Sequence, residues 1–143
     1  MISFSVLGEP KAQPRGRAFA PKGGRPRIFT PSTAEYWKSL VAEAAKPHLP
    51  PTPITGPVYL EVSFFLPRPL RLSGRKYPSE AIPHTAKPDT DNLVKAVMDC
   101  CSQLRFWEDD RQVYRITASK VYVGKGGRPG AEIAIAWGEA GEA

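Results

Sequence analysis

Lys87-Pro88-Asp89-Thr90-Asp91-Asn92-Leu93-Val94-Lys95, followed by Phe106-Trp107-Glu108-Asp109-Asp110, sets two acidic clusters at either end of one amphipathic segment. Leu93, Ala96, Val97, Cys100 and Leu104 recur at the i, i+3/i+4, i+7 spacing that builds one apolar helix stripe. Pro88 cannot extend a helix backwards past its own first turn, and Asp89, Thr90 and Asp91 are all good N-cap residues. The pattern therefore predicts a helix starting near residue 90. At roughly 100° per residue, Asp91, Lys95 and Ser102 fall opposite the stripe, and Asp89 stands at the positive end of the axis. One side of the helix is for burial, and the other carries charges of both signs.

Capping alone gives these acids a modest purpose. An N-cap Asp contributes about 1 kcal/mol, a second acid near the same terminus about 0.3 to 1 kcal/mol, and an Asp-to-Lys i,i+4 pair about 0.2 to 0.5 kcal/mol. Caps do not account for a second acidic pair, Asp109-Asp110, that arrives one helix length later and can fold back beside the first. Carboxylates brought within about 4 Å of one another repel by on the order of 4 kcal/mol at an effective dielectric near 20. A divalent cation offsets that cost and caps do not. Oxygen-only ligands with no His or Cys beside them point to a hard ion, Mg²⁺ or Mn²⁺, rather than zinc.

The set Asp-x-Asp-Asn-Leu-x-Lys over residues 89–95, continued through Asp99 to Phe-Trp-x-Asp-Asp and Gln112-Val113, resembles the RusA family of Holliday-junction resolvases. The similarity is dense between residues 87 and 123 and looser elsewhere, although Gly8-Glu9-Pro10-Lys11 with a basic loop behind it is also similar. The resemblance implies an endodeoxyribonuclease that depends on Mg²⁺, with Mn²⁺ able to substitute, and acts as a homodimer. It further implies Asp89, Asp91 and Asp110 as metal ligands, Lys95 as the catalytic cation beside them, and Asp109 as the less favoured member of its pair.

The remaining sequence agrees with such a protein. At 143 residues the chain, 1–143, is expected to form one domain with a core of its own. A formal net charge of +6 favours an anionic partner. Cys100 and Cys101 are adjacent on the expected helix and diverge, which suits a reducing, cytoplasmic setting rather than a disulfide. No apolar run reaches the ~18 residues of a membrane span, and the N-terminus has no signal-peptide pattern.

Ile2, Phe4 and Val6 alternate with serines as in a half-buried strand ending at Gly8. Lys11, Arg15, Arg17, Lys22, Arg25 and Arg27 then follow with no acid among them, interleaved with Gly, Pro and Phe19. This loop is expected to grip phosphates and to recognise DNA by shape rather than through a base-reading helix. Ser32 and Glu35 have capping-box spacing, so a helix is expected from Pro31 or Ser32 to Ala45, with Tyr36 and Leu40 leading its apolar stripe and Trp37, Val41 and Ala44 as further members. Val58, Leu60, Val62, Phe64 and Leu66 form the clearest strand, apolar enough to be central, with Glu61 facing solvent.

Residues 67–86 read as a long loop whose Arg71 and Arg75 make a second DNA-contacting arm, with His84 exposed on it. Trp107 is expected to anchor the acidic turn, and residues 112–123 to form a long strand on which Lys120 is a surface residue. Gly124-Lys125-Gly126-Gly127-Arg128 reads as a hairpin turn before a last strand holding Ile133, Ile135 and Trp137; it lacks the Walker spacing of a P-loop.

The expected architecture is α/β or α+β, a mixed sheet of about four strands with two main helices on one face, as in RusA-type proteins. The expected function is hydrolysis of DNA phosphodiesters, resolving four-way junctions by paired nicks across a homodimer in recombination and repair. The alternatives are a structure-selective nuclease for forks or flaps, and a non-catalytic DNA-binding module in which the acids only cap.

Overall fold

Alternation along the central strand sets the architecture. Val58, Leu60, Val62, Phe64 and Leu66 are all buried on one face of β2 (Val58–Leu66), whereas Glu61 is exposed on the other. The computed structural model describes residues 1–13 and 33–138 of the chain. Within them, β1 (Ile2–Leu7), β3 (Ile82–Pro83), β4 (Val113–Tyr122) and β5 (Gly130–Trp137) join β2 in a five-stranded mixed sheet, ordered β1-β5-β2-β4-β3. The helices α1 (Ala34–Ala45) and α2 (Thr90–Gln103) cover one face, packing Trp37, Val41, Leu93 and Val97 against the inner residues of β1, β2 and β5. The opposite face presents Ser3, Ser5, Glu61, Ser63 and Glu132 around a shallow cleft of about 470 Å³.

β2 pairs antiparallel with β5 and parallel with β4. A parallel pair needs a crossover, and α2 is part of it. The stretch 124–128 is consequently not a hairpin turn, as its glycines suggest, because β2 lies between β4 and β5. The backbone groups along both edges of β2 are satisfied by β4 on one side and β5 on the other, while the helices cover its apolar face. The fifth strand is the two-residue β3, whose Ile82 and Pro83 pair with Tyr122 and Val121 inside the segment read as loop. Much of that segment is folded by cation-to-carbonyl bonds. Arg68 donates to the carbonyls of Leu72 (2.9 Å), Pro78 (2.7 Å) and Glu80 (2.9 Å), and Lys125 to those of Gly74 (3.0 Å) and Tyr77 (2.7 Å).

α1 begins at Ala34, later than expected, and its N-cap is Thr33, whose Oγ1 accepts from the Tyr36 amide at 3.1 Å. Ser32 lies outside the described residues. The fully buried side of α1 is Trp37, Val41 and Ala45, with Tyr36 and Leu40 only half-buried. Leu40 packs against the backbone at Gly8. The Gly8 φ of +137° favours glycine, and a Cβ there would displace the Leu40 Cδ1 methyl.

Candidate active site

α2 opens as the sequence predicts, with Asp89 at the N-cap (φ −72°, ψ 145°) and Asp91 in the first turn. Yet the Asp89 side chain accepts no capping hydrogen bond. Its main-chain carbonyl takes the first helical bond, from Leu93 N at 3.1 Å. Asp91 Oδ1 accepts from the Asn92 amide at 2.9 Å. Lys95 is exposed one turn further on.

The second acidic segment is fixed by polar bonds to a buried frame. Phe106 and Trp107 are both 0% exposed, and Trp107 Nε1 donates to Asp110 Oδ1 at 2.8 Å. Asp109 serves a different end, as the N-cap of the 3₁₀ turn Asp110–Gln112, where it accepts from the Arg111 amide at 2.9 Å in a capping box with Gln112. Gln112 also accepts from the Glu108 and Asp109 amides, both at 2.8 Å, and donates to the carbonyls of Ile54 (2.7 Å) and Gly56 (3.0 Å). The Asp-x-x-Gln spacing was the available signal for this cap.

Asp91, Lys95 and Asp110 line one groove of about 600 Å³ between a flank of α2 (Thr90, Val94, Met98) and β4, where Ile116 and Ala118 form an apolar floor. Asp89 instead lines an adjoining groove of about 640 Å³ with Glu9, Lys11, Lys87 and Asn92. Among the described residues, no three His, Cys, Asp or Glu side chains lie close enough together to hold a metal ion. Asp99 is engaged elsewhere, tying the two helices together through Lys38 Nζ at 2.6 Å.

Burial, then Cys100, then the Asp110 carboxylate push the Cys101 thiol far above its usual range. Burial raises Cys100 to about 11, with Asp99 adding to the rise and Lys38 opposing it. Both thiols are free and too poorly ionised to act as nucleophiles.

Residues 8–136 match the family described as endodeoxyribonuclease RusA. The chain belongs to the RusA family. It is also similar to an uncharacterised protein of Bacillus subtilis (strain 168), YqaN, at 39% identity over 126 residues, covering 85% of this chain and 87% of the relative. RusA membership implies endodeoxyribonuclease activity, a hydrolase acting on branched DNA.

RusA nucleases generally require a divalent metal, and the donor chemistry here suits one. The groove offers carboxylate oxygens and an amine without thiol or imidazole, and Mg²⁺ is commonly held by only one or two carboxylates plus substrate phosphate and water.

Of the basic residues expected to contact DNA, Lys11 is ion-paired with Glu9 at 2.6 Å beside Asp89, and Arg71 and Arg75 are exposed. Arg15, Arg17, Lys22, Arg25 and Arg27 lie outside the described residues. His84 is not the exposed loop residue expected: it is 7% exposed, with its ring 4.4 Å from that of Tyr122. Burial and then the Lys120 charge lower its pKa below 6.5. Among the described residues no helix is long and apolar enough to cross a membrane.

Proposed function

We propose that this chain is a Mg²⁺-dependent endodeoxyribonuclease, with Mn²⁺ able to substitute, that resolves four-way DNA junctions as a homodimer in recombination and repair in the cytoplasm. The observation that supports it most is the groove in which Asp91 and Asp110 face a lysine, Asp110 being fixed by Trp107 while its neighbour Asp109 is spent on capping. Asp91 and Asp110 would hold the cation together with a substrate phosphate, and Asp89, uncommitted as a cap, is the third ligand candidate from the adjoining groove. A cation bound there supplies Lewis-acid polarisation of the phosphate and lowers the pKa of attacking water.

Lys95, exposed within the groove, sets a positive charge against the scissile phosphate or assists proton transfer. Lys11, Arg71 and Arg75, with Arg15, Arg17, Arg25 and Arg27, grip the backbone of the DNA arms. Support for self-association comes from β4. β3 and the His84 amide cover only residues 120–122 of it, so among the described residues the edge from Val113 to Ser119 has no strand partner, with Tyr114 69% exposed. An edge of this kind is a ready template for pairing, and a two-fold dimer would present paired sites to a junction.

The test is a panel of junction, fork, flap and duplex DNAs with Mg²⁺, Mn²⁺ or EDTA. The junction should be nicked symmetrically and only with metal, and Asp91→Asn should bind it without cutting. Faster cutting of forks or flaps would reassign the substrate. Normal cutting by Asp91→Asn would remove that residue from the site.

A further inference from the structure

Lys120 lies opposite Phe64 in the β2–β4 register, so its side chain leaves the sheet on the helix-covered face. A lysine there must reach water or find oxygen atoms. It finds two carbonyls: Nζ donates to Ala86 O at 2.5 Å and to Pro88 O at 2.7 Å. Its own main-chain carbonyl accepts from the His84 amide at 3.2 Å. One residue thus ties the chain at 84, 86 and 88, immediately before Asp89.

Packing contributes little to this hold. Between His84 and Leu93 no side chain is buried, and residues 85–87 are exposed. The downstream end is held by Leu93 and Val94 in the core, and the upstream end by the His84 ring against Tyr122. What lies between depends on donors, and Lys120 supplies them from the strand whose Ile116 and Ala118 floor the Asp91–Asp110 groove.

We propose that Lys120 is a positioning residue for the aspartate site, its ammonium holding the main chain at 86 and 88 so that Asp89 keeps its place relative to Asp91 and β4. This inference rests on the reading of Asp89, Asp91 and Asp110 as the cation-binding carboxylates.

The experiment uses the full chain and its variants Lys120→Met, Lys120→Arg and Asp91→Asn. Binding of Mn²⁺ alone is measured by calorimetry without DNA, and amide hydrogen exchange is followed residue by residue. Lys120→Met should bind Mn²⁺ about 10- to 100-fold more weakly, the range found when groups that orient metal ligands are removed. Its exchange should quicken at residues 86–92 while α1 and β5 stay protected. Lys120→Arg, which can still donate to both carbonyls, should recover most of the affinity. In cleavage assays the loss should fall on kcat with KM nearly unchanged.

If Asp91→Asn loses Mn²⁺ while Lys120→Met binds it as the parent does, the positioning role is wrong and the site stands. If Asp91→Asn binds Mn²⁺ like the parent, the underlying site is wrong. Should Lys120→Met not fold, failure of Lys120→Arg to restore Mn²⁺ binding in a folded protein would equally overturn the proposal.

Discussion

Replacing Trp107 by Phe tests whether the acidic turn is held by one hydrogen bond. The change keeps an aromatic ring in a fully buried position while deleting the Nε1–H that donates to Asp110 at 2.8 Å, together with the pyrrole portion of the indole. A hydrogen bond to a charged acceptor contributes about 1.5 to 3 kcal/mol. Asp110 is exposed, so water replaces the lost donor on the carboxylate and the low end of that range applies. Loss of the pyrrole portion of the indole adds a fraction of the about 3 to 5 kcal/mol that full truncation of a buried aromatic costs.

A double-mutant cycle with Asp110→Ala separates the two effects, because the cavity is common to both arms and only the bond couples the residues. Urea unfolding of the four proteins should give a coupling energy of about 1 kcal/mol. The consequence for cleavage is larger than for stability. With the carboxylate free to rotate, kcat on a junction should fall by about 10- to 100-fold, as when supporting groups around metal ligands are removed. Additive stabilities in the cycle, together with an unchanged kcat for Trp107→Phe, would refute the claim that Trp107 fixes Asp110.

The neighbouring acid gives the complementary outcome: Asp109→Ala should cost about 0.5 to 2 kcal/mol in urea unfolding through loss of the cap, with junction cleavage at the parental rate, whereas Asp110→Ala should abolish cleavage. The thiols predict an alkaline dependence. Cys100 is raised from 9.0 to about 11 when folded, so its stabilising contribution is complete below the unfolded value and is lost as pH rises through the folded one. The urea midpoint should therefore fall between those limits, and less steeply in a Cys100→Ala/Cys101→Ala variant.

What is legible in the sequence is what periodicity encodes. The stripe of α2 and the alternation of β2 place Leu93, Val97, Leu60 and Phe64 in the core as their spacing predicts. Trp107 beside an acidic pair suggests an anchored turn, and Trp107 does anchor it. Strand order is not legible, because alternation shows which face of β2 is buried but not which strands flank it, and a Gly-rich turn of hairpin composition joins strands that are not neighbours. The burial of His84 is equally hidden, because nothing local announces that β3 pairs with β4 and carries it against Tyr122. Lys120 and Arg68 look like surface charges in the sequence. Their carbonyl partners lie up to 34 and 55 residues away, for the bonds to Ala86 and Val123, and such bonds follow no period.

The groove itself follows from a mismatch between the sheet and its helical cover. Leu60 and Val62 on β2 are 0% and 1% exposed beneath the helices, yet Ile116, their neighbour on β4, is 45% exposed. The two helices together therefore seal β2 and leave the inner face of β4 partly open, with Asp91 and Lys95 along one margin. A site meant only for an ion needs no apolar floor, since its ligands are oxygen atoms and water. A floor of Ile116 and Ala118 beside those charges suits a larger occupant, one with an anionic edge to meet Lys95 and an apolar surface to cover the strand. A DNA strand has both, in its phosphates and the faces of its bases, so under the proposed function the open β4 would serve the same substrate as the carboxylates.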